Sequence, residues 1–225
     1  MSRCVRLMSV IAVGLALAAC GGGGSSGGSG DGGGNGRAAP SSAQLHARLL
    51  TADDVGTQWK AGEPINSEDL AAFAQTPCAA ATINPAVVKR LTAVVGAQFE
   101  PVDRSYRHLI ELVVTGDATQ LHKDLQSVFS AIESCDAAGS AGVRVTVTQL
   151  SIPELGDQRA AYAVTQNPPD GSPAAMSLRT AYVRLGTVAV VVGLVDFRAS
   201  KDGVSLVSDD NFRALLTKAT TKLSA

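Results

Sequence analysis

Leu17-Ala18-Ala19-Cys20 has the clearest chemical spacing in the chain. Small residues stand directly before a thiol, at the end of the apolar run Leu7–Leu17 and downstream of the basic residues Arg3 and Arg6. A lipoprotein signal peptidase cuts such an arrangement once the thiol carries a thioether-linked lipid. The apolar run has signal-peptide length and is too short to span a bilayer as a mature helix. The expectation is a signal peptide over residues 1–19, lipidation of Cys20, and a mature chain held by its acyl anchor on the outer face of a bacterial cell membrane.

Of the other cysteines, Cys4 leaves with the signal peptide, and Cys78 and Cys135 remain as an even pair in an oxidising compartment. One disulfide is the default reading, with two buried free thiols as the alternative. Closing that loop stabilises a fold by roughly 4 kcal/mol on the chain-entropy account. No His or third Cys stands at ligand spacing from either cysteine, so no metal site is expected.

Catalytic spacings are missing. His46, His108 and His122 each lack a Cys, Asp or Glu partner at motif spacing, and there is no H-E-x-x-H, P-loop, dinucleotide fingerprint or EF-hand loop. Gly24-Ser25-Ser26-Gly27-Gly28 matches G-x-S-x-G in form, but no strand precedes it and no helix follows, so it cannot build a nucleophile elbow. A hydrolase would need a carboxylate such as Glu111 to meet a His or a second acid in a cleft. The expectation is no enzyme, no cofactor and no catalytic residue.

Charge narrows the partners. Without Arg3 and Arg6 the mature chain keeps 17 of its 19 Lys and Arg against 20 Asp and Glu, a net charge of about −3. A slightly acidic chain has no electrostatic footprint for nucleic acid, and no basic patch for anionic lipid. The membrane link therefore rests on the anchor.

These residues need elements to position them. Residues 20–42 are a lipidated Cys followed by a Gly/Ser-rich tether that cannot bury enough surface to fold; its reach is roughly 25 Å. Residues 43–225 are read as one domain. It opens with a helix over Ala43–Leu50. Thr51 then caps a further turn bearing Asp53 and Asp54, and Trp59 pins this segment to the core. Asn84-Pro85 opens another short helix through Arg90. Strands are expected at Ala93–Arg104 and Tyr106–Thr115. Asp117, with Gln120 completing a capping box, starts a helix whose stripe is Leu121, Leu125, Val128, Phe129 and Ile132. Strands follow from Val143, through Ala160-Tyr162-Val164, over Ala174–Leu185 and over Thr187–Phe197. The last is almost wholly apolar and so should be central. Ser208-Asp209-Asp210 starts a final helix with stripe Phe212, Leu215, Leu216, Ala219 and Leu223. Short connections make an antiparallel β-meander sheet, packed by amphipathic helices in a single α+β domain.

Helices on one side would leave the other sheet face open. Polar and aromatic positions on the strands are Tyr106, Arg107, Tyr162, Arg179, Tyr182 and Arg184. Tyr106, Tyr162, Arg179 and Tyr182 are the ligand-binding candidates, since Tyr and Arg are effective binding residues; the alternative is that they are ordinary solvated strand residues. Leu178 and Val183 pull the parity of Arg179 and Tyr182 in opposite directions.

The run Leu49-Leu50-Thr51-Ala52-Asp53-Asp54-Val55-Gly56, the element from Gly116-Asp117-Ala118-Thr119-Gln120 to Ser134-Cys135, and the meander ending in an apolar strand and terminal helix form a pattern. Together they resemble the extracytoplasmic sensor domains of actinobacterial PknH-like serine/threonine kinases and their stand-alone lipoprotein relatives. The resemblance spans about Ala43–Ala225. It implies an antiparallel sheet packed by helices around a ligand-binding cleft. Many such domains carry two disulfides; this chain matches one pair, Cys78 with Cys135.

The function expected is that of a membrane-anchored extracytoplasmic lipoprotein with a non-enzymatic ligand-sensing or partner-docking domain. Its partners would be the membrane, through the lipid, and an unidentified envelope ligand or protein. The alternative is a lipid or glycolipid carrier, which would need an unfilled apolar cavity of a few hundred Å³.

Overall fold

The computed structural model describes residues 40–65, 87, 90–103, 107–137, 144–167, 176–196 and 208–224. Cys20, Cys78, Tyr106, the signal peptide, most of the tether and most of the helix expected at Asn84–Arg90 lie outside the described residues.

Two short helical turns come first. Helix α1 (Ser42–His46) is capped by Ser41, whose hydroxyl accepts from the Gln44 N–H while the Gln44 side chain accepts from the Ser41 N–H. Helix α2 (Ala52–Val55) begins at Thr51, as expected, and the Asp54 carboxylate accepts from both the N–H and the hydroxyl of Thr51, each at 2.9 Å. The helix expected over Ala43–Leu50 is thus shorter at its C-terminal end. Strand β1 (Trp59–Ala61) follows, an element absent from the sequence reading.

The sheet continues with β2 (Ala93–Pro101), β3 (Arg107–Thr115), β4 (Arg144–Gln149), β5 (Gln158–Asn167), β6 (Met176–Leu185) and β7 (Val188–Asp196). Helix α3 (Ala118–Glu133) and a 3-10 turn (Ser134–Ala137) link β3 to β4, and α4 (Asp209–Ser224) closes the chain. All pairings are antiparallel, in the order β1-β2-β3-β7-β6-β5-β4. The sheet is therefore two meanders joined along β3 and β7. The apolar strand β7 sits in the middle, where its residues need burial on both faces. Its hairpin with β6 turns in two residues, with Gly186 at φ +61°.

Strand alternation sends odd-numbered residues of β2, β3, β5 and β6, and the even-numbered residues of β7 that pair with them, to one face, the odd-numbered face of the sheet. Val95, Phe99, Leu109, Val113, Ala161, Ala181, Val183, Val190, Val192 and Leu194 pack there with Leu45, Leu49, Leu50 and Val55 of the α1–α2 segment and with Phe212, Leu216, Ala219 and Leu223 of α4. The opposite face brings Val114, Ala160, Tyr162, Val164, Tyr182 and Ala189, with Val145 of β4, against Leu121, Leu125, Val128 and Ile132 of α3. Helices thus lie on both faces, and the expectation of one open face is corrected. Periodicity identifies an amphipathic helix, but the side to which it crosses is set by the connection.

The cap of α3 also differs in part. The Asp117 carboxylate accepts from the Gln120 N–H at 2.9 Å, but the Gln120 side chain runs forward to Asp124 at 2.9 Å rather than back to the cap. Asp124 is buried and also accepts from Arg90 at 2.7 Å, so it competes successfully for that amide. Cys135 is buried in the 3-10 turn that ends α3. Among the described residues, no helix is long and apolar enough to cross a membrane.

Candidate functional site

The α1–α2 segment and α4 meet over the odd-numbered face without closing it completely. A cavity of about 370 Å³ remains between them, lined by Asp54, Val55, Gln58, Trp59, Arg107, Asn211, Ala214, Leu215 and Lys218. The α4 contributors fall at i, i+3, i+4 and i+7, one stripe of the helix. Val55 and Trp59 stand on the opposite wall and are themselves core residues. The cleft therefore combines an apolar floor with a charged rim.

Arg107 is the first residue of β3, and its register partner is Asp196, the last of β7. Its Nε lies 3.6 Å from the Asp196 Oδ2, and the Arg107 side chain is 15% exposed. That is an ion pair without a short hydrogen bond, and the buried Nε finds no acceptor among the described residues. On the rim, the Lys218 ammonium donates to the Asp54 carbonyl at 3.0 Å and stands 3.7 Å from its carboxylate. The Lys222 ammonium hydrogen-bonds to the same carboxylate. This bond, followed by the donors of Thr51, holds the Asp54 carboxyl at about 2. Arg107 is thus paired with Asp196 and Asp54 with Lys222, and the second lysine on Asp54, Lys218, leaves the cleft with one surplus positive charge.

Beneath the α2 wall lies Glu111, in the middle of β3 and 0% exposed. Its Oε2 accepts from the Leu50 N–H at 2.6 Å, and its Oε1 has no hydrogen-bond partner among the described residues. Burial raises the carboxyl to about 7; the Leu50 N–H and the charge of Lys222 oppose the rise, and the charge of Asp54 adds to it. Glu111 is shut away from solvent, which is not the cleft geometry a hydrolytic acid needs.

The structure settles the parity of the candidate residues. Arg179 lies on the odd-numbered face, with its Nε 2.8 Å from Asp209 at the start of α4. Tyr182 and Tyr162 point the other way, into the core beneath α3. Tyr162 is 1% exposed. Its hydroxyl donates to Glu133 at 3.0 Å, and burial together with Glu133 raises it above the ordinary phenol range. Phe129 joins both tyrosines, with its ring centroid 6.2 Å from Tyr162 and 5.8 Å from Tyr182, edge-on to the latter. These are packing arrangements. Arg184 serves a corner, donating to the Gly186 carbonyl at 3.0 Å beside Asp157. His108 meets Gln98 and His122 meets Gln158, at 3.1 and 3.0 Å.

Of the polar positions picked out on the strands, Arg107 is the one that lines the cleft among the described residues. Asp54 had a visible signal, but the signal for a cap; Gln58, Asn211 and Lys218 had none, since nothing local marks a residue whose partner lies across a groove.

No family model and no curated protein matches this chain. Among solved structures, the fold is shared with the extracellular domain of PknH from Mycobacterium tuberculosis, at a TM-score of 0.55 over 83% of this chain and 98% of that domain, with 16% identity. A putative uncharacterized protein (Rv0999 ortholog) from Mycobacterium smegmatis aligns over 81% of this chain and 95% of its own at 14% identity, with a TM-score of 0.42, too low to carry a structural argument. At these identities the likeness to the PknH domain is one of fold.

Proposed function

We propose that the chain is an extracytoplasmic lipoprotein whose domain is a non-enzymatic binding module, holding a small ligand with an anionic group in the α2–α4 cleft. The observation that carries this reading is the cleft itself, in which Arg107 and Lys218 stand over Val55, Trp59 and Leu215. A volume of about 370 Å³ falls within the range of small-molecule sites. The Cys20 anchor and the tether suit a module that samples its surroundings from a membrane. In this reading Cys78 and Cys135 form a disulfide at the end of α3. Cys135 being a half-cystine supports the bridge, and Cys78 is the cysteine left once Cys4 and Cys20 take their roles. The carrier alternative draws less support, because the cleft is charged at its rim and both sheet faces are packed with side chains.

Native mass spectrometry of the full chain tests the reading, with Ala214→Trp placed to fill the cleft. The expected result is a small acidic mass on the wild-type protein that the variant has lost. Bare protein in both samples would overturn the small-ligand reading, and a lipid-range mass held by both would favour the carrier.

A further inference from the structure

The α1–α2 segment is fastened to the domain in three places. Leu45, Leu49, Leu50 and Val55 sink into the core. On α4, the Arg48 Nη1 donates to the Leu223 carbonyl at 3.1 Å, and Lys218 and Lys222 hold Asp54. On β3, the polar attachment among the described residues is the Leu50 N–H on Glu111. That attachment differs from the others because its acceptor is a carboxyl at 0% exposure whose other oxygen has no partner among the described residues.

We infer that Glu111 is a proton-controlled latch, whose protonated form keeps the α1–α2 segment seated on β3 and whose deprotonated form loosens it. A neutral carboxyl can remain in this dry position with the Leu50 N–H as its donor. A carboxylate there would be a buried charge with a single hydrogen bond, which is costly unless water reaches it. The charged groups acting on it are Lys222 from α4 and Asp54 from α2, which oppose each other and are already paired together. Its register partners on β2 and β7 are Ala97 and Val192, which bring no charge. The way to hydrate the carboxylate is for the Leu50 turn to lift. The raised position of the Glu111 carboxyl, about 7, puts that event near neutrality.

Because α2 carries Asp54 and Val55 of the cleft wall, the latch would also shape the cleft; this consequence rests on the binding reading above, whereas the latch itself does not. The single tryptophan, Trp59, shares a core cluster with the segment and reports on its seating without any ligand. Acrylamide quenching of Trp59 in the full chain should rise several-fold between pH 5.5 and 8.5 (an order-of-magnitude window of about 1.5 units either side of the midpoint). Glu111→Gln, which keeps an acceptor but cannot ionise, should give a flat profile. His46→Gln, which removes another ionisable group of the segment, should behave as wild type. The protonated-carboxyl infrared band of wild type should vanish with the same midpoint as the quenching, a reading that holds even if Glu111→Gln fails to fold. A flat wild-type profile, a transition that persists in Glu111→Gln, or a carboxyl band that titrates apart from the quenching would overturn the latch.

Discussion

The two faces of the sheet are built from alternate residues of the same strands and end up chemically unlike. One long helix, α3, covers the even-numbered face, and its stripe meets a patch of aromatic and aliphatic side chains in which Phe129, Tyr162 and Tyr182 pack together. The odd-numbered face is covered by separate pieces, α1, α2 and α4, and where these fail to meet it keeps a cleft. It also holds Arg107, Glu111, Asp54 and Lys222. A single continuous helix can seal a sheet face, because its stripe runs unbroken across the strands. A cover assembled from pieces must be stitched together by polar contacts, and polar contacts depend on pH and salt in a way that apolar packing does not.

The contrast can be broken from either side. The largest effect is expected for Leu216→Ala, which removes a side chain at 0% exposure from the α4 cover; such truncations cost about 2–5 kcal/mol, read as a fall in the urea midpoint at unchanged slope. A loss below about 1 kcal/mol would mean that the α4 seam is already loose.

Next comes the pH dependence that Glu111 confers. Its carboxyl is raised from the usual 4.5 to about 7, so between those values the folded protein holds a proton that the unfolded chain has released. Stability is then fully present below 4.5, falls as pH rises, and has lost the whole contribution above about 7. Integrated over that window the loss is ~3 kcal/mol, and Glu111→Gln should abolish the slope in urea titrations run at several pH values. A slope of the opposite sign would mean that the carboxyl folds as an anion.

On the sealed face, Tyr162→Phe should cost about 1 kcal/mol, since it removes the bond to Glu133 while that exposed carboxylate stays hydrated. Its effect should not vary between pH 5.5 and 8.5, the window in which the latch acts (about 1.5 units either side of its midpoint), and a strong dependence would erase the distinction between the faces. The smallest change is expected from Glu100→Gln. It breaks the Lys60–Glu100 pair at 3.3 Å, whose side chains are 59% and 42% exposed, and should shift stability by less than about 0.5 kcal/mol, vanishing in salt.

Much of the fold was readable because its signals are local. The α3 stripe, the apolar run of β7 and the caps at Thr51 and Asp117 each depend on a few neighbouring residues and on the period of one element. Tyr182 and Arg179 show where that legibility stops. They are three residues apart on one strand and so on opposite faces, and the strand pattern between Leu178 and Val183 supports either assignment. Only the register with β5 and β7, and the helix that each face receives, makes Tyr182 a core residue and gives Arg179 its ion pair with Asp209. Strand β1 was missed for a related reason: three residues carry too little periodicity, and Trp59 extends because β2 is there to pair with it.

The sequence by itself determined the class of the domain, its central strand and its amphipathic helices, since hydrophobic periodicity and capping chemistry are properties of contiguous residues. The tertiary structure alone decided that both sheet faces are covered, that Glu111 meets the Leu50 N–H across 61 residues of chain, and that Arg107 shares a cleft with Lys218. Those outcomes turn on the side to which each connection crosses and on desolvation summed over distant groups. Neither quantity is written in the spacing of neighbouring residues.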